Sequence, residues 1–232
     1  MFLDLDQALV DAISRESPKA SADARSGKRN APADASKPHK GFIGTHFYSS
    51  VARFESLVDF VTQHGPYAQK VMGWIEENGD PNERSLMLTW LFNLFAKYQH
   101  VVSRASDGKN ILIDEGFIGR AVTLFAYRAE PPIDATRTYV KLAPKPDAII
   151  RLNVDLEECH TRLSSRPKGP PARLRSLSKE QQLRILENCR QVLETALSEL
   201  SASGVRIIDI DSGRPPPEQI AAAASALGLP RG

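Results

Sequence analysis

Four stretches of this chain carry side chains of the types that bind phosphates, protons and metal ions. The first is Ile111-Leu-Ile-Asp114-Glu115-Gly116. An apolar run that ends in adjacent acids sets a carboxylate at a strand tip. There it can hold a hydrated Mg²⁺ or take a proton from a substrate hydroxyl. The plainer alternative is that Asp114 caps the helix after it. The second stretch holds Arg162 and Arg166, four apart and so on one helix face, then Arg173 and Arg175 across a Gly/Pro-rich break. Four guanidiniums on a mobile segment can close over phosphates, donate forked hydrogen bonds and neutralise charge in transit. The alternative is a solvated basic face. The third is Phe2-Leu-Asp4-Leu-Asp6, where two acids two apart on a strand point the same way. They could serve a metal-bound water and a substrate hydroxyl, or lie on a half-exposed edge. The fourth, Ile210-Asp211-Ser212-Gly213-Arg214-Pro215, could wrap a purine ring or act as a proline-stiffened connector.

These groups need elements that bring them to one place. Apolar periodicity predicts helices over 46–63, 66–77 and 82–105. The first of these sets Phe47, Val51, Phe54, Leu57, Val58 and Val61 on one face. Asn110 to Asp114 reads as a buried parallel strand, with a helix from about Ile118 to Tyr127. A short helix over 135–142 precedes a second strand, Ala148 to Val154. Helices follow over 156–165 and 178–201, with Ser178 as N-cap and Gly204 as terminator. Val205 to Ile210 is a third strand and 217–227 a closing helix. Strands alternating with helices predict a parallel α/β sheet, whose carboxyl-terminal rim collects Asp114, Asn153, Asp155, Asp209 and Asp211. One domain is expected, with a flexible insert over 15–45, a helical acceptor-side block over 46–106 and a lid over 166–176.

In this order the pieces resemble P-loop small-molecule kinases, over roughly residues 2–14 and 110–228. Pro146-Asp147-Ala-Ile-Ile-Arg-Leu-Asn-Val-Asp155, Glu157 and Arg162-Leu-Ser-Ser-Arg166 are similar to the part of thymidylate and deoxynucleoside kinases that leads into the lid arginines. Val205 to Ser212 and the helix after it resemble their last strand and adenine loop. Phe2-Leu-Asp-Leu-Asp-Gln7 is similar to shikimate and gluconate kinases just past their first helix. The resemblance implies an α/β fold, a three-layer parallel sheet of P-loop kinase type with a helical insert. It implies ATP and Mg²⁺ as cofactors, and phosphoryl transfer to a nucleoside, nucleotide or other small hydroxyl-bearing acceptor. On it Asp114, Glu115, Arg162 and Arg166 form the catalytic set, and Asp4 and Asp114 lie near the metal. Asp6, Arg120, Arg173 and Arg175 face the acceptor. Asp211, Ser212, Gly213, Arg214 and Pro215 lie beside the base.

One part of the pattern is missing. Such kinases need a Gly-x-x-x-x-Gly-Lys-Ser/Thr loop whose backbone N–H groups cradle the phosphates. Ser26-Gly27-Lys28-Arg29 lacks the first glycine and the final hydroxyl residue, and no strand precedes it. The first strand and its loop would lie before Met1. The expectation is therefore weak or no ATP binding and impaired transfer, with a non-catalytic kinase-like remnant as the alternative.

Composition narrows the classes. Lys and Arg total 30 against 28 Asp and Glu, a net charge of +2, so bulk charge does not point to nucleic acid or an anionic membrane. Hydrophobic residues make up 41%, enough for a core. No long apolar run or secretory leader stands out, and a cytoplasmic protein is expected. Two cysteines, Cys159 and Cys189, cannot build a disulfide scaffold. The histidines show no metal spacing, and no Gly-x-Ser-x-Gly supports a hydrolase. The expected partner is a small-molecule phosphate acceptor, with no nucleic acid and no membrane. Long exposed helices make a homodimer reasonable.

Overall fold

A computed structural model describes residues 50–105, 110–114, 116–167 and 169–229. The expectations for Asp4, Asp6, Glu115 and the insert over 15–45 lie outside them.

Three helices open the described chain: α1 (Ser50–Gln63), α2 (Gly65–Asn78) and α3 (Arg84–Val102). Pro66 begins α2, where its fixed φ suits the first turn and its missing N–H costs nothing. The three helices meet α4 (Phe117–Phe125) and α5 (Ile133–Leu142) around an aromatic centre. Phe60 stacks on Phe95 with ring centroids 4.3 Å apart. Tyr67 presents edges to Phe95, Phe117 and Tyr139 at 5.6, 5.5 and 5.1 Å. Offset and edge-to-face pairs of this kind add to the burial of each ring.

The second half is built on two parallel strands. β1 (Ala148–Asn153) pairs with β2 (Arg206–Asp211) in the register Ala148↔Arg206 to Asn153↔Asp211. The connection between them carries α6 (Leu156–Ser164), the single turn α7 (Ala172–Arg175) and the long α8 (Lys179–Ala202). Strand side chains alternate. Ile149 and Ile207 therefore join the core of the helical half, while Ile150, Leu152, Ile208 and Ile210 pack on Ala223 and Ile220 of α9 (Pro216–Leu227).

Local signals end these helices where the sequence predicts. Ser178 accepts the Gln181 backbone N–H at 3.3 Å, and Gln181 Oε1 accepts the Ser178 N–H at 2.9 Å, a complete capping box for α8. Asp155 accepts the Glu158 N–H at 2.8 Å and starts α6. Gly204, at φ +87°, lets the chain leave α8 in a conformation that a Cβ would disfavour. The chain is thus α/β in class and rich in helix, with a small parallel sheet. No helix among the described residues is long and apolar enough to cross a membrane.

Two expectations fail. Residues 110–113 are not a strand, and Ile111, Leu112 and Ile113 are exposed. An apolar run becomes a strand only beside another strand that takes its N–H and C=O groups. Among the described residues no strand pairs with it. On α1 the apolar face turns outward. Ser56 and Phe60 are buried, while Val51, Phe54, Val58 and Val61 stay exposed. The aromatic centre draws α1 in through Phe60, and that fixes which face remains outside.

Candidate functional site

At the carboxyl ends of the two strands lies a cavity of about 710 Å³. Its sheet side runs from Arg151 to Asp155 and from Asp209 to Gly213. Leu186, Cys189 and Leu193 of α8 line it, and Arg162 and Cys159 enter from α6. This volume lies within the range of small-molecule sites, about 300–1,000 Å³.

Arg162 is the hinge of the site. Its Nε donates to Glu158 Oε1 at 2.7 Å, one helical turn back. Both terminal nitrogens reach the Ser212 carbonyl at 3.3 Å, and one also reaches Ser212 Oγ at 3.4 Å. Helix α6 is thereby tied to the loop that leaves β2. That loop is held from within. The Ser212 N–H donates to the Asn153 carbonyl at 3.0 Å, the Gly213 N–H donates to Asp211 Oδ1 at 2.8 Å, and Gln219 Nε2 donates to the Arg214 carbonyl at 2.6 Å. A Cβ on Gly213 would sit 3.1 Å from Asp211 Oδ1, so this tight turn suits glycine. Ser212 is buried, and Arg214 and Pro215 are exposed.

A second charged group crosses the sheet. Arg151 of β1 faces its register partner Asp209 of β2, donates to it through Nε, and reaches Glu194 of α8 at 2.6 Å. The hydrogen bond it donates to Asp209, helped by Glu194, outweighs burial and raises the Arg151 guanidinium above its ordinary range. Sequence reasoning overlooked this trio, yet a signal existed. Ile149-Ile150-Arg151 and Ile207-Ile208-Asp209 are the same apolar pair followed by opposite charges.

Both cysteines are free and buried. Burial pushes each thiol up. At Cys159 the guanidiniums of Arg166 and Arg162 work against that rise, so both arginines lie near one thiol. Only Arg162 lies in α6; Arg166 follows the helix end, past its C-cap Ser165, so the expected shared helix face does not form. Arg166 itself does not line the cavity.

The other expected residues go elsewhere. Arg173 does not line the cavity in this structure. Its Nε and Nη2 donate to the two carboxylate oxygens of Glu83 at 3.1 and 2.6 Å, and its Nη1 donates to the Thr123 carbonyl at 3.2 Å. Its guanidinium lies 4.9 Å from the Tyr127 ring centre and 5.5 Å from that of Trp90. The segment expected to be mobile is therefore fastened to α3 and α4, because its arginine finds a carboxylate and two aromatic faces there. Arg120 lies 5.7 Å from the same Trp90 ring, so Arg120 and Arg173 meet on one indole outside the cavity. Arg175 donates to the Pro170 carbonyl at 2.9 Å and is exposed. Asp114 is exposed in a turn before α4 and does not line the cavity. It does not cap α4 either, whose N-cap is Gly116. Among the described residues no group of three His, Cys, Asp or Glu side chains could hold a metal ion.

No family model, no curated protein and no solved structure matches this chain.

Proposed function

We propose that the chain is a small-molecule kinase-like protein, and that the cavity at the strand ends is its nucleotide side. The activity proposed is ATP-dependent phosphoryl transfer to a nucleoside, nucleotide or other small hydroxyl-bearing acceptor. The observation that carries this reading is the bond from Arg162 to Ser212. It brings a helix-borne guanidinium to the Asp211–Pro215 loop at the lip of a cavity large enough for a nucleotide. A phosphate would take these N–H groups by displacing the Ser212 carbonyl or the Glu158 carboxylate, and the apolar floor suits a ring. The lining carries five acids against three arginines, so the nucleotide reading rests on Arg162 and the apolar floor. The three-layer parallel sheet of such kinases is part of this proposal.

The described side chains do not fit Mg²⁺ at this rim. Asp155 caps α6, Asp209 is paired with Arg151, and Asp211 accepts the Gly213 N–H. A second reading, nucleotide binding without turnover, is favoured by the position of Asp114. The proposed catalytic carboxylate does not line the cavity that Arg162 serves.

Both readings are tested by titrating the full chain with ATP and ADP while following backbone amide shifts by NMR. The expected outcome is a dissociation constant of about 1 mM, a binding free energy of about −4 kcal/mol. Shifts should concentrate at Arg162, Ser212 and Gly213. Arg162→Ala should weaken binding by about tenfold or more, and Arg175→Ala should leave it unchanged, since about 1.4 kcal/mol separates each factor of ten. Saturating ATP that leaves the Ser212 and Gly213 amides unmoved would overturn the proposal. Release of ADP in the presence of a nucleoside panel would then select the catalytic reading over the binding one.

A further inference from the structure

We infer that α1 is the seam of a homodimer, in which the helix lies parallel to the same helix of a second copy. This inference is independent of the nucleotide reading, because α1 contributes nothing to the cavity. Val51, Phe54, Val58 and Val61 are 64, 66, 45 and 37% exposed. Their spacing is three, four, three. That is the a-d-a-d pattern of a two-helix seam, with Val51 and Val58 at a and Phe54 and Val61 at d. The inner side of the helix is already in use. Ser56 and Phe60 are buried, and Phe60 stacks on Phe95 and meets Tyr98 edge-on. The stripe is thus a second apolar face, not the margin of the core.

Three arguments name the occupant as a copy of this chain. The stripe is complementary to itself, because a two-fold axis parallel to the helix sets each a residue against its own copy and each d residue likewise. Valine at both a positions is compatible with a two-stranded pair, with Phe54 and Val61 at d in place of the usual leucine. Charge then selects the direction. Glu55 and Asp59 are exposed on the same flank of α1, so an antiparallel pair would set acids against acids. In the parallel pair Leu57 at g faces Thr62 at e of the other copy, and no acid opposes an acid. Area agrees with a weak dimer. The four side chains expose on the order of 400 Å² per copy, and with a polar rim the pair buries about 1,000 Å², the lower end for specific interfaces. Interfaces this small belong to weak, transient pairs, so self-association is expected at micromolar concentration, on the order of 10 µM.

Sedimentation velocity on the full chain, from about 1 to about 200 µM, should show the mean mass rising from one copy towards two. Val58→Asp should stay monomeric throughout, with unchanged far-UV circular dichroism because the site is exposed. Orientation is read by cross-linking. Val58→Cys should form a disulfide-linked dimer with copper phenanthroline and oxygen, the oxidant taking two electrons and two protons from two thiols. The buried Cys159 and Cys189 should leave the parent chain unlinked. A single monomer mass at every concentration would overturn the inference and mean that something other than a second copy covers α1. Dimerisation of Val58→Asp equal to the parent would overturn the seam. If Val58→Cys fails to link to itself but links to Phe54→Cys, the pair is antiparallel and the parallel assignment falls.

Discussion

Tyr67 and Tyr139 sit side by side in the aromatic centre, with their hydroxyls in opposite states. Tyr139 donates to the Phe117 carbonyl at 2.9 Å. The Tyr67 hydroxyl is buried without a hydrogen-bond partner. An unsatisfied buried polar group costs about 1–3 kcal/mol, whereas a made hydrogen bond contributes about 1 kcal/mol. Tyr67→Phe should therefore leave stability unchanged or raise it, while Tyr139→Phe should lower it by about 1 kcal/mol. Urea denaturation of the two variants checks the pair, and a destabilised Tyr67→Phe would mean that its hydroxyl has a partner after all. Asn188 shows the satisfied case: its buried Nδ2 donates to the Ala126 and Arg128 carbonyls at 3.2 and 2.7 Å and fixes α8 against the end of α4.

At the scale of elements, the decisive contact is the one that fastens α7. A proline- and glycine-rich segment has little to hold it, and Leu174 is the one buried side chain of its single turn. Arg173 supplies the rest by pairing with Glu83 across 90 residues and lying against Tyr127 and Trp90. Glu83 is partly exposed, so the ion pair is screened and Glu83→Gln should cost no more than about 1 kcal/mol. Arg173→Ala also loses the ring contacts and the bond to Thr123, and should cost about 2 kcal/mol. Arg173→Lys should not rescue it, since an ammonium cannot fork onto both oxygens. Limited trypsinolysis provides a local readout. Cleavage after Arg175 should accelerate in Arg173→Ala and Arg173→Lys, and cleavage at the parental rate in both would show that α7 is held by something else.

For the whole molecule, one property follows from burying tyrosines. Burial raises Tyr67, Tyr98 and Tyr139 above their ordinary pKa and pushes Tyr127 up to about 12. The unfolded chain loses these protons near pH 10 while the folded chain keeps them. Between the two values the unfolded state binds fewer protons, so stability falls as pH rises. It should begin to fall above about pH 8, where the two buried thiols of Cys159 and Cys189 add to the loss, and decline steeply above pH 10. Tyrosinate absorbance near 295 nm should then appear together with loss of near-UV circular dichroism, in one transition. Separate titration near pH 10 with the dichroism retained would mean that the aromatic centre is open to water. The same centre joins distant parts of the helical half, because Phe60 and Phe117 stack with centroids 5.8 Å apart although 57 positions separate them in sequence.

The sequence by itself determined the elements whose causes are local. Pro66, Ser178 with Gln181, Asp155 and Gly204 mark helix ends because a cap or a fixed dihedral acts within a few residues. The alternation around Ile149–Ile150 and Ile207–Ile208 sets two strand faces by period alone. Tertiary structure decided everything that depends on a partner distant in the chain. Asn110 to Ile113 has the composition of a strand but no neighbouring ladder among the described residues, and it is not one. Arg173 has the composition of a phosphate ligand but is claimed by Glu83 and Trp90. The apolar side of α1 has the composition of a core face but is turned outward, because Phe60 fits the aromatic centre from the other side. Composition states what a residue can bind, and the geometry of the packed chain settles which of its possible partners comes within reach.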